Sequence, residues 1–229
     1  MTEMTANQLA ERLSITKRRA LDLSRAGSVT GRQLDNGMWL ADSDSVARYE
    51  LSGARGSGRT LDSATAWGLL WELSGLDADW LADRTRARVR RRIREMTADE
   101  IATAVASRSR AHRYSSANVQ LAASRLIRTG RSAAGNLASD LIDDDQSVCG
   151  YVREGSVAEY ARVHLTVLAT NGRDVLYENT LPIEYDGEVM PNAVVAADLA
   201  MSANTRERSA GLRALEEMRQ QWLDAHPRR

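Results

Sequence analysis

Two short helix signals separated only by Ser14 and Ile15, and followed closely by an Asn-Gly turn, constrain this 229-residue chain most. Thr5 is a good N-cap, and Leu9, Ala10 and Leu13 fall on one face of the helix it would open. Thr16 caps a second helix, Lys17 to Arg25, ending at Gly27, where a left-handed stop costs a glycine little. Arg32-Gln33-Leu34 and Met38-Trp39-Leu40 flank Asp35-Asn36-Gly37, the strongest short-range hairpin signal. Asp42 or Ser43 then caps a third helix carrying Val46 and Tyr49. The expectation over residues 1–51 is a helix-turn-helix with a hairpin wing, its small core made of Leu9, Leu13, Leu21, Leu23, Trp39, Val46 and Tyr49.

The second helix carries the chemistry. Lys17, Arg18 and Arg19 crowd its first turn. Positive charge at a helix N-terminus opposes the macrodipole, so stability alone would not choose it, whereas a polyanion facing that end would. Recognition helices read base edges with their N-terminal residues. Arginine can clasp guanine with two bonds, and lysine can meet phosphate. The bland alternative pairs Arg18 with Asp22 one turn on and leaves the rest as a solvated face. The turn before and the wing after favour DNA. The candidate contacts are Thr16, Lys17, Arg18, Arg19 and Asp22 on the helix, and Arg32, Asn36 and Gly37 on the wing, with Arg32 expected on phosphate.

The segments LAERL at 9–13, TKRRALDLSRAG at 16–27 and GRQLDNGMWLADSDSVARY at 31–49 resemble the excisionase-type, MerR-like winged-helix module. The resemblance implies a second helix in the major groove and a wing on the backbone or minor groove. Ser14 stands where glycine is usual at that turn.

Charge is uneven although the chain is neutral. Residues 1–131 carry a net +7 and residues 132–229 a net −7. A basic front and an acidic back suggest polyanion binding at one end. A Gly/Ser/Arg linker is expected at 52–60. A helical, Arg-rich region follows at 61–140, with a helix from Asp62 or Ser63 to Gly75 and another from about Asp77 to Met96. Seven arginines fall between Arg84 and Arg94. In one reading Arg84, Arg88, Arg91 and Arg92 extend contacts to phosphate; in the other they pair with the acidic half or a partner. Thr97 and Glu100 form a capping box.

Residues 141–229 are expected as an α+β domain, or as one domain with 61–140. Strand patterns fall at Gln146–Val152, Ala161–Leu168 and Val175–Tyr185, and helices at Asn192–Met201 and Thr205–Ala225. The expected fold class is therefore α+β: a winged helix-turn-helix, a helical middle, and a small antiparallel sheet packed with helices. No apolar run approaches the ~20 residues of a membrane span. The polar start carries no signal-peptide pattern, and the lone Cys149 cannot form an internal disulfide, so a cytoplasmic protein is expected. His112, His164 and His226 lack metal-ligand spacing, Asp143-Asp144-Asp145 has the look of a solvated turn, and no catalytic motif is present. Neither enzyme nor cofactor is expected.

Residues 125–152 and 194–218 resemble the C-terminal regions of actinobacterial AbiEi-like antitoxins of type IV toxin–antitoxin pairs. The patterns RTGRSAA, the ADL at 197–199 and TRERSAGL carry it. The resemblance implies an N-terminal winged helix that represses its own operon and a C-terminal domain that opposes a nucleotidyltransferase-type toxin. Three functions are weighed: an autoregulating antitoxin on a double-stranded DNA operator, a phage-type excisionase or architectural factor, and a protein-interaction module with little DNA role. A homodimer is an open expectation in the first.

Overall fold

A computed structural model of the chain describes residues 3–26, 28–29, 31–42, 45–46, 49, 61–137, 141–169, 172–202 and 204–227. Gly27 and the linker at 52–60 lie outside them. Near the N-terminus, β1 (Glu3–Thr5), β2 (Gly31–Gln33) and β3 (Trp39–Asp42) form an antiparallel sheet in the order β1-β3-β2. Two helices, α1 (Ala6–Arg12) and α2 (Lys17–Arg25), lie between β1 and β2 in sequence. Thr5 caps α1 in a full capping box with Gln8, and Thr16 caps α2. Ser14, in the turn between them, holds φ +53°. Leu9, Ala10, Ala20, Leu23, Val29, Ala41 and Val46 make the core. Leu21 and Trp39, expected there, are only half-buried, and small alanines take their place because the helices and sheet approach closely.

The hairpin loop has three residues. Leu34 N donates to Met38 O, and Gly37 N to Leu34 O, both at 2.8 Å. Gly37 takes φ +80° and Asn36 does not, so a turn closed by one left-handed glycine replaces the mirror-image turn that Asn-Gly would favour. After β3, Asp42 accepts from Ser45 N at 3.1 Å, and Ser45, Val46 and Tyr49 are helical. The remainder of that expected helix is outside the described residues.

The body is built around α3 (Ser63–Leu73). It was expected to bury one face, yet every residue from Thr65 to Leu73 is buried. Helices α4 (Asp83–Glu95), α5 (Ala98–Val105), α8 (Asn192–Ala200) and α9 (Thr205–Ala225) surround it. Asp62 caps α3 through Thr65 N, and Gly75 ends it at φ +74°. The Asp77–Met96 helix begins later than expected. The Arg86 guanidinium takes the Ala78 and Leu81 carbonyls, and Trp80 donates to Ala64 O, so Asp77–Ala82 packs as a loop. The core cluster runs from Leu61 to Trp222 and so draws on both halves of 61–229.

The second sheet contains β4 (Ala111–Ser116), β5 (Leu126–Arg128), β6 (Cys149–Val152), β7 (Thr166–Leu168) and β8 (Asp174–Tyr177), ordered β5-β6-β8-β4-β7. It is mixed, not purely antiparallel, since β6 and β8 run parallel. The short α6 (Val119–Ala123) precedes β5. Of the strand expected over Ala161–Leu168, the first three residues end a helix, α7 (Val157–Val163), and the last three form β7. Its apolar alternation suggested a strand, but Ser156 and Glu159 form a capping box that starts a helix, and only Thr166–Leu168 pairs. The other two strand patterns shorten to β6 and β8. The architecture is mixed α+β, and among the described residues no helix is long and apolar enough to cross a membrane.

Candidate nucleic-acid interface

The packed face of α2 is Ala20, Leu23 and Ser24, set by helical spacing. Its outer face is therefore Lys17, Arg18, Arg19, Asp22 and Arg25, all exposed. Thr16 accepts from Arg19 N at 3.2 Å, which satisfies one free N–H and fixes where the helix starts. The first turn holds no acid. Asp22 lies 3.9 Å from Arg25 rather than on Arg18. Lys17, Arg18 and Arg19 make no ion pair among the described residues. Three cations thus project from the positive end of a helix, the arrangement that suits an approaching anion.

Arg32 stands differently from its expected place on phosphate. Its guanidinium forks onto Glu3 of β1 with two bonds of 2.9 Å. That bonding holds the Glu3 carboxyl below its ordinary range and the Arg32 guanidinium above its own. The strand order explains the pairing: β1 and β2 flank β3, with Arg32 and Thr5 both opposite Leu40. Asn36 accepts from Met38 N at 3.0 Å, and Gln33 Nε2 donates to Gly37 O at 3.1 Å. The loop tip is fixed by its own side chains.

The arginines of α4 divide into two sets. Arg90 forks onto buried Glu72 at 3.1 Å, and Arg94 lies 4.9 Å over the Trp222 ring. Arg86 holds the loop before the helix, and half-buried Arg92 faces the Asp62 carboxylate. Arg84, Arg88 and Arg91 are exposed on one helical face, Arg91 beside Glu95 at 3.6 Å. The paired partners are mostly neighbours in the same region, not the acidic half.

A polar centre that the sequence reading missed lies deep in the body. Arg108, buried, donates to Asp198, to the Tyr151 hydroxyl at 2.9 Å and to Val105 O at 3.2 Å, with Trp67 stacked alongside at 5.3 Å. Thr129 Oγ1 donates to Asp198 at 2.7 Å, and Tyr151 does so at 3.0 Å. Burial alone would lower the guanidinium's pKa, but the Asp198 carboxylate overrides it and holds it above its ordinary value. Burial pushes the Tyr151 hydroxyl well up and the Cys149 thiol up to about 12. The signal in the sequence was a lone carboxylate within AVVAADLA, since a buried charge must be paired. The three patterns quoted for the C-terminal resemblance meet here. Thr129 and Arg131 come from the first, Asp198 from the second and Glu207 from the third, with Arg131 3.4 Å from Glu207. A small cleft beside them is lined by Gly130, Arg131, Cys149, Asp198, Ser202 and Glu207.

One buried ion pair joins the two regions. Arg113 of β4 lies 3.4 Å from Asp42, the residue that also caps the helix after β3. Among the described residues no three His, Cys, Asp or Glu side chains group as metal ligands. Asp143 and Asp144 instead accept from Gly135 N, Gln146 N and Ser147 Oγ, tying their own loop. Compared with known proteins, the chain matches no family model, no curated protein and no solved structure.

Proposed function

We propose that this chain is a sequence-specific, double-stranded-DNA-binding transcriptional repressor whose N-terminal unit works as a winged helix-turn-helix. The observation that carries the reading is the set of exposed Lys17, Arg18 and Arg19, without an ion pair among the described residues, at the start of a helix whose opposite face is packed. Arg18 and Arg19 read bases, Lys17 meets phosphate, and the hairpin tip at Asn36-Gly37 lies along the backbone. Arg84, Arg88 and Arg91 supply a second set of phosphate contacts. Arg32 acts through Glu3, holding β2 to β1, rather than on DNA.

The finer proposal is an antitoxin role in the cytoplasm, opposing a nucleotidyltransferase-type toxin. It rests on the C-terminal resemblance and gains support from the meeting of its three patterns at one cleft, with Thr129 on Asp198 and Arg131 on Glu207. A gel-shift series on the DNA upstream of the gene tests the DNA reading. Arg18→Ala is expected to lose about 1–3 kcal/mol of specific binding, with melting unchanged. Unchanged affinity and sequence preference would sink it. Co-expression with the nucleotidyltransferase of the same operon tests the antitoxin role separately.

A further inference from the structure

Strand β7 is the outer strand of the five-stranded sheet, hydrogen-bonded to β4 along one side only. Val167 and Leu168 of this strand are 67% and 69% exposed, and Leu165 in the turn before it and Val163 at the end of α7 are 73% and 70% exposed. The other large exposed apolar side chains, such as Met38, Leu76, Leu121 and Ile142, are scattered along the sequence. Native sheet edges are blunted by shortness, lysine, proline or a bulge, because an open row of N–H and C=O groups pairs with any strand offered, and three-residue β7 has only its shortness. Residues 163–169, VHLTVLA, contain neither lysine nor proline. Leu165 also holds φ +52°, a left-handed conformation that glycine takes at less cost. Its side chain recovers little of that cost within the chain, since it points into solvent.

We propose that this edge is a homodimer interface, with β7 pairing antiparallel to β7 of a second copy about a two-fold axis near Val167. Charge and area select a second copy as the occupant. In a two-fold antiparallel pair each residue meets one from the same segment, so a charged edge would set like against like. This segment has no acid and no base except His164, and it is self-complementary. Covering the four side chains on both copies buries on the order of 1,000 Å², the floor for a specific interface. Pairing extends the five strands into one ten-stranded sheet and gives two N-terminal units two-fold symmetry.

Sedimentation equilibrium of the full chain tests the proposal without DNA, so its outcome is independent of the DNA reading. The expected mass is twice that of the chain. Val167→Lys with Leu168→Lys is expected to give a monomer whose circular dichroism and melting are unchanged. A wild-type monomer up to the solubility limit would overturn the proposal, and so would a dimer that survives both lysines. Val167→Cys adds a positive arm, because residues facing each other across an antiparallel pair lie within disulfide reach. Oxidation is expected to cross-link most of this variant and none of the wild type, whose Cys149 is buried. A dimer that the lysines dissociate but Val167→Cys does not cross-link would place the axis elsewhere and overturn the stated pairing.

Discussion

In α2, Arg18 and Arg19 stand in solvent with no carboxylate partner among the described residues, whereas Arg108 is buried under Asp198, Tyr151 and a carbonyl. The same side chain therefore does opposite work in the two regions. A solvated guanidinium costs the fold little when removed and stays available to a polyanion. A buried one is fixed by its partner and leaves a large penalty if that partner goes. Substitutions in the N-terminal unit should alter binding with little loss of stability, and substitutions in the body should do the reverse.

The strongest way to break this contrast is Asp198→Ala. It strands the Arg108 charge and removes the acceptor of Thr129 and Tyr151. The expected loss is about 3–5 kcal/mol in urea denaturation. A loss below 1 kcal/mol would mean water or another acid already serves Arg108.

Gly211→Ala probes the body without touching a charge. A methyl group there would press on Ala200 N and Ala196 O, both backbone atoms of α8, so α8 and α9 must move apart. Overpacking of this kind costs about 1–3 kcal/mol. Thermal melting reads it, and an unchanged midpoint would show that the helices separate freely.

Arg32→Ala sharpens the comparison inside the N-terminal unit, where one cation is paired and the others are not. An exposed pair contributes little, because solvent screens it, so only a small loss of stability is expected. The salt slope of DNA binding should fall by less than the full unit that a phosphate contact would give. Because Glu3 is held below its ordinary range, the pair's contribution is present at neutral pH and lost as pH falls through the lowered value. The Arg32→Ala deficit should accordingly shrink in acid. A full-unit drop in slope, with no loss of stability, would return Arg32 to the phosphate.

The two regions also differ in how far their sequence could be read. Local signals sufficed for α1, α2, the hairpin and the Thr97–Glu100 cap, because caps and glycines act within a few residues. The same holds for Thr205–Ala225. What stayed hidden depends on distant partners. Thr129, Tyr151 and Arg108 are 69, 47 and 90 residues from Asp198. Nor could spacing reveal that Arg32 faces Glu3, since β1 was not anticipated as a strand. The alternation over 162–167 misled at its start, where a capping box upstream carries the helix to Val163, and held only at Thr166 and Val167.

The smallest expected effect is a gain. Ser14 holds φ +53° in the turn between α1 and α2, where a side chain crowds the backbone and glycine does not. Ser14 N still donates to Glu11 O at 3.1 Å and Ile15 N to Ala10 O at 2.9 Å, so the turn's hydrogen bonds need no change. Ser14→Gly relieves the strain but loosens the unfolded chain, which returns part of the benefit. The net expectation is about 0.5–1 kcal/mol of stabilisation confined to the N-terminal unit, seen as slower hydrogen exchange in α1 and α2. Faster exchange there would mean that the serine side chain earns its place by a contact that glycine cannot make. DNA affinity should stay level, because Thr16 still caps α2 and the helix start does not move.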